Sequence, residues 1–216
     1  MEIRESRFGE YLERLSSKSA TPGGGGASAL AGAYGVSLGL MVGNLTRGKK
    51  KYESFAAELE HCMEKLEKLR ETFLVLSGAD EAAFLPLSRA YALPKTTEAE
   101  RLARSSELER CLIAACEPPI RMMERACEAL LYMEELAEHG SRLAISDIGV
   151  GVQFLHTALS GAIMNVHVNA AMLRDREKAA EYEKYAGRLL EDGSHRVCGI
   201  YERVEQALKK GQNSGA

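Results

Sequence analysis

Two stretches of this chain carry residues whose types and spacing are suited to chemistry. The first is Thr21-Pro22-Gly23-Gly24-Gly25-Gly26-Ala27-Ser28, four glycines in a row at the head of an uncharged segment. Glycine lets another group come up to the main chain, and ordering four of them costs entropy that something must offset. Thr21 is expected as a helix N-cap and Pro22 in the first turn, which places the glycines at a helix start. Free N–H groups there favour a carboxylate or phosphate; a tight turn with close helix packing is the competing reading. A nucleotide-phosphate loop is excluded, because the Gly-Lys-Ser/Thr ending is missing. The second stretch begins at Ser146-Asp147. Asp147, Gly151, Leu155, Ala158, Ala162, Asn165 and Asn169 share one helical face, and no Asp, Glu, Lys or Arg stands between Ile148 and Leu173. Buried carboxyl and amide groups need partners, and burial raises a carboxyl pKa toward the range useful for proton transfer. An N-cap role for Asp147 competes with that reading.

The remaining reactive residue types form no motif. His156 and His167 share a face but lie roughly 16 Å apart along a helix, too far for one ion. The five cysteines form no C-x-x-C pair and are odd in number, so neither a metal site nor a disulfide framework is expected. They read as reduced thiols of a cytoplasmic protein.

Long helices must position these groups. Ala27 to about Thr46 reads as a helix in which Ser28, Gly32, Gly35, Gly39 and Gly43 form a nearly side-chain-free face, which should be buried against another helix or a ligand. An amphipathic helix from residue 3 to about 17 precedes it. From Tyr52 apolar residues recur every three or four positions, with a bend expected near Ser77-Gly78 and a break at Pro86, until Pro94. Thr96 or Thr97 caps a further helix, in which Pro118-Pro119 demands a kink or a fresh start. The stretch 143–175 and a closing amphipathic helix follow. The fold expected is all-α, one domain of about six helices, several long and bundle-like, over 1–210, with a disordered tail at 211–216. Two uncharged helices in one small protomer point to a homodimer.

Composition removes several function classes. The net charge is −3, with 28 basic residues scattered among 31 acidic ones, so no nucleic-acid partner is expected. Ser19 to Thr46 is uncharged and long enough to span a bilayer, but glycine, Ser28, Ser37 and Asn44 make it weakly hydrophobic, and no membrane partner is expected.

The glycine run with Ala29-Leu30-Ala31-Gly32-Ala33, Met41-Val42-Gly43-Asn44-Leu45-Thr46 and Gly48-Lys49-Lys50-Lys51-Tyr52 resembles the cyclodeaminase domain of formiminotransferase-cyclodeaminase and its stand-alone bacterial relatives. Asp80 with Ala83-Phe84, Leu93-Pro94-Lys95 with Arg104, Ser146-Asp147, Gly161-Ala162, and Asn165-Val166 with Asn169 are similar to later landmarks of that family. Gly78, Gly26 and Ser141 depart from it, standing where an acidic residue, Ser and Asn are frequent.

The resemblance implies an all-α homodimer that acts on a tetrahydrofolate derivative, polyglutamylated or not, without a cofactor. The reactions implied are closure of 5-formiminotetrahydrofolate to 5,10-methenyltetrahydrofolate with loss of ammonia, or hydrolysis of the methenyl ring to 10-formyltetrahydrofolate. Either needs a placed carboxyl group. Asp147 is the first choice, Asp80 the second, expected to be more solvated, and Asn165 the candidate for stabilising the intermediate. Thr21, Pro22, Gly23, Gly24, Gly25, Gly26, Ser28, Asn44, Lys95, Ser146 and Asn169 complete the expected binding set. Lys95, or else the cluster from Lys49 to Lys51, would pair with glutamate carboxylates, and Gly24→Val is expected to block folate. Asp147 and Asn165 lie roughly 27 Å apart on a straight helix, so a site shared between subunits is expected. The alternative is a catalytically silent helical dimer that binds folate or a protein partner.

Overall fold

The computed structural model describes residues 7–213. Residues 3–6 of the first expected helix and 214–216 of the expected tail lie outside the described residues. Six α-helices and two short 3₁₀ turns account for the architecture, and no strand occurs among the described residues. The helices are α1 (Phe8–Leu15), α2 (Gly24–Thr46), α3 (Ala56–Tyr91), α4 (Glu98–His139), α5 (Ile145–Met172) and α6 (Arg176–Asn213). The turns, Lys50–Phe55 and Arg142–Ala144, lead into α3 and α5.

The helices run up and down. Contacts of α2 descend α3 from Met63 opposite Gly43 to Phe73 opposite Gly32. In the same way α2 descends α5, with Gly35 against Gly151 and Ser28 against Gly161. The α2/α5 pair is central because glycine allows it to be. A Cβ at Gly35 would come within 2.6 Å of the Gly151 carbonyl, and one at Gly151 within 3.0 Å of the Gly35 carbonyl. The two backbones therefore touch, as the small-residue face predicted, and the entropy cost of helix glycine is offset by close contact. Around this pair Leu66, Phe73, Leu130, Met133, Val152, Leu155 and Leu159 form a core that water does not reach.

Three local expectations change. Gly23, not Thr21, is the N-cap of α2, so Gly24, Gly25 and Gly26 form its first turn. α3 passes Ser77-Gly78 and Pro86 as one helix of 36 residues. α4 carries Pro118 and Pro119 inside 42 helical residues instead of restarting. Proline at 119 removes the N–H that would bond to the Ala115 carbonyl. The Asn169 amide of α5 donates to that carbonyl at 2.9 Å, so the freed acceptor is satisfied from a neighbouring helix. Thr97 caps α4 as read from the sequence, in a capping box with Glu100.

Both α2 and Arg142–Met172 are long and apolar enough to cross a membrane by length and composition, and 67% of the apolar window in α2 is buried inside this fold. What stays exposed is a stripe on each: Tyr34, Met41 and Leu45 on α2, and Val150, Phe154, Met164, Val168 and Met172 on α5. Tyr34 and Phe154 meet with ring centroids 5.6 Å apart, so the stripes form one continuous uncharged face.

Candidate functional site

The expected site residues separate to the two ends of the α2/α5 pair. At the end where α2 begins, α3 brings Asp80 against the first turn of glycines. A Cβ at Gly25 would overlap the Asp80 carboxylate, so glycine at 25 is what admits the carboxyl group. The carboxylate accepts the backbone N–H of Gly26. It thus closes a helix N-terminus that has no side-chain cap of its own. Burial dominates its electrostatics: desolvation pushes the Asp80 pKa up to about 6, the Gly26 N–H opposes the shift, and neighbouring Glu81 adds to it. The more solvated position expected for Asp80 is therefore corrected; the docking of α2 onto α3 encloses it.

Two hydroxyls complete this end. Ser77 Oγ donates to the Gly26 carbonyl at 3.2 Å. The Tyr11 hydroxyl, on α1, is buried close to Ser77 and has no fully formed hydrogen bond among the described residues. Arg14 ties α1 down through Glu81 at 3.4 Å. Ser28 is buried, donates to the Gly24 carbonyl at 2.7 Å and fills the notch left by Gly161. Asn165 lies one turn beyond Gly161, half-buried, with its amide N–H on the Gly161 carbonyl at 3.1 Å. Asn169 is committed to Ala115, so its amide N–H serves helix packing. Thr21 is half-buried, Pro22 buried, Gly23 half-buried and Gly24 exposed; a Cβ at Gly24 would meet nothing within 4 Å. Lys95 is exposed in the connection between α3 and α4.

The other end holds Asn44, Ser146 and Asp147. Asp147 is half-buried in the first turn of α5, and Ser146 is exposed. Ala144 is the N-cap there, so the expected capping by Ser146-Asp147 gives way to a position just inside the helix. Asn44 is exposed, and its side-chain Oδ1 accepts from the Arg47 guanidinium at 3.3 Å. Within one protomer the glycine turn and Asp147 are separated by most of the length of α2, about 34 Å for 23 residues. A cavity of about 440 Å³ opens here, walled by Arg47, Lys49, Lys50, Tyr52 and Glu60. The sequence marks this basic stretch as a family landmark and a candidate for carboxylate pairing, and gives Tyr52 no chemical role. The Tyr52 oxygen accepts the Arg142 N–H at 3.3 Å. No group of three metal-ligating side chains occurs among the described residues.

Comparison with known proteins agrees with this architecture. The profile of the formiminotransferase-cyclodeaminase family matches residues 7–188. Methenyltetrahydrofolate cyclohydrolase of Methylorubrum extorquens is 40% identical over 92% of this chain and 95% of its own. Formimidoyltransferase-cyclodeaminase of Gallus gallus is 30% identical over 92% of this chain, which spans only 37% of that longer protein. The crystal structure of formiminotetrahydrofolate cyclodeaminase from Thermotoga maritima superposes with a TM-score of 0.80 at 27% identity, covering 97% of this chain and 98% of that one. A profile match across most of the chain, a full-length relative and a shared helical fold together place this chain in the formiminotransferase-cyclodeaminase family.

Proposed function

We propose that this protein is a folate one-carbon enzyme that hydrolyses 5,10-methenyltetrahydrofolate to 10-formyltetrahydrofolate, with Asp80 as the proton-transfer group. The observation that carries the assignment is a half-buried carboxyl group with its pKa near 6, held against a turn stripped of side chains. At neutral pH it is mostly ionised and positioned to act as a base. Water adds to the electrophilic methenyl carbon as Asp80 takes one of its protons, which then passes to solvent. The carbon–N5 bond of the adduct breaks next. N5 gains a proton, the adduct hydroxyl loses one, and the carbon stays on N10 as a formyl group.

Hydrolysis is preferred because the relative of matching length and 40% identity is a methenyltetrahydrofolate cyclohydrolase. Cyclodeamination of 5-formiminotetrahydrofolate is the second reading, favoured by the structural neighbour. There N10 attacks the formimino carbon, and the base that takes the N10 proton helps ammonia to depart. Both reactions pass through a tetrahedral carbon between N5 and N10, so one carboxyl group serves either.

The uncharged face of α2 and α5 supports a homodimer. A contiguous apolar surface free of charge is poorly suited to water and is self-complementary under a two-fold axis. In the arrangement proposed, the two-fold axis runs across the helices in that face, so that the Asn44/Asp147 end of one subunit lies over the glycine turn of the other. Asp147, Ser146 and Asn44 then join Asp80 in a shared site, and lysines from 49 to 51, with Lys95, offer charge to the glutamate tail of folate. The five cysteines stand as free thiols, which fits the cytoplasm as the compartment.

Absorbance-monitored turnover decides the reaction. Loss of the methenyl chromophore is expected with purified protein, whereas its appearance from the formimino substrate selects the second reading. A folded dimer inert toward both would leave a folate- or partner-binding protein.

A further inference from the structure

The Asp80 end supplies one proton-transfer group, yet breaking the carbon–N5 bond requires a proton delivered to N5 while the adduct hydroxyl gives one up. The cavity at the opposite end contains a phenol set up for that role. Tyr52 Oη accepts the backbone N–H of Arg142 at 3.3 Å. The buried Ser141 hydroxyl, which has no fully formed hydrogen bond among the described residues, bears on the same oxygen. Ser141 is itself fixed, its N–H donating to Thr46 Oγ1 at 2.8 Å. A phenol oxygen used as an acceptor keeps its own O–H for another partner, and Tyr52 lines the cavity.

The charged surroundings favour the phenolate that proton donation leaves behind. Lys51 Nζ lies 5.6 Å from the Tyr52 ring centroid, and Lys49 precedes the turn. Glu60 on the facing wall of α3 is neutralised by Arg47 at 2.6 Å, and Glu53 is exposed. The Arg142 guanidinium turns away, toward the Ala137 and Glu138 carbonyls, and His139 packs on Phe55 with centroids 5.1 Å apart. Burial raises the Tyr52 pKa, but the Arg142 N–H, the Ser141 hydroxyl and the two lysines outweigh it and bring it below the ordinary value.

We propose that Tyr52 is a catalytic residue of the shared site: Tyr52 of the partner subunit faces Asp80 across the two-fold axis and donates its proton to N5 as the carbon–N5 bond breaks. The adduct hydroxyl proton goes to Asp80, the C–O bond becomes the formyl carbonyl, and the phenolate is reprotonated from solvent. This inference rests on the proposed reaction and the shared site.

Tyr52→Phe keeps the ring and removes the proton. Its kcat is expected to fall about 10²-fold with KM changed only a few-fold, and the alkaline limb of the kcat profile should vanish. Incorporation of 3-fluorotyrosine, which acidifies phenols with little change of shape, should move that limb to lower pH in the otherwise unaltered protein. Mixing dissociated Tyr52→Phe and Asp80→Asn subunits is the decisive arm. Random reassociation leaves half the dimers mixed, each with one intact shared site, so about a quarter of wild-type activity should return. A Tyr52→Phe protein within two-fold of wild type, an unmoved alkaline limb, or a mixture no more active than its parents would overturn the role. A wild type inert toward both folates removes the reaction and this role with it, whereas an active wild type with an equally active Tyr52→Phe removes the role alone.

Discussion

Asp80→Asn is expected to inactivate the protein and stabilise it at the same time. The Asp80 pKa stands at about 6 against an ordinary 3.8, because burial disfavours the charged carboxylate. That difference, near two pH units, is worth on the order of 3 kcal/mol at 1.36 kcal/mol per unit. The sign follows from proton binding. Between pH 4 and 6 the native state holds a proton that the unfolded chain has released, so stability falls as pH rises through this window and stays low above it. Asparagine has the same shape, retains an oxygen to accept the Gly26 N–H, and never ionises. Urea unfolding of variant and wild type at pH 4 and pH 7.5 measures the effect, with methenyl hydrolysis followed on the same samples. The variant should gain roughly 2–3 kcal/mol over wild type at pH 7.5 and little at pH 4, while kcat drops by about 10²-fold or more. A variant whose stability difference from wild type is the same at both pH values would refute the burial argument, and one with unchanged kcat would refute the catalytic assignment.

Gly25→Ala and Gly24→Ala form a matched pair. A methyl at 25 displaces the Asp80 carboxylate, so methenyl hydrolysis should fall at least tenfold. At 24 the methyl meets open space and should be neutral or stabilising by up to roughly 1 kcal/mol in thermal unfolding. Asn169→Leu leaves the Ala115 carbonyl at the proline step without a donor and is expected to cost about 1–3 kcal/mol by chemical denaturation. The proposed dimer predicts a wild type that sediments at twice the chain mass and a Met164→Glu variant, charged in the exposed stripe of α5, at half of that; a wild type at monomer mass would refute the dimer, and a variant still at dimer mass would refute this face as its contact.

The sequence alone determined the helical class, the approximate helix boundaries and the burial of the glycine face, because each follows from local periodicity, capping chemistry and the absence of charge. It also marked the glycine turn, Asp80, Asp147 and the asparagines as the polar groups needing explanation. It ranks Asp147 ahead of Asp80, because Asp147 opens a polar face on an uncharged helix. Asp80 follows Gly78-Ala79 on a helix of ordinary composition, and only the docking of α2 onto α3 buries its carboxyl group against Gly25 and Gly26. Asn169 carried the signature of a binding amide, but its partner is a carbonyl 54 residues earlier, released by a proline on another helix. Tyr52 reads in the sequence as the first residue of an apolar core stripe, and only the turn after α4 brings the Arg142 N–H to its oxygen. Local pattern reads which residues lie inside; partners distant in the chain set what a buried polar group can do, and those meet only when the helices pack.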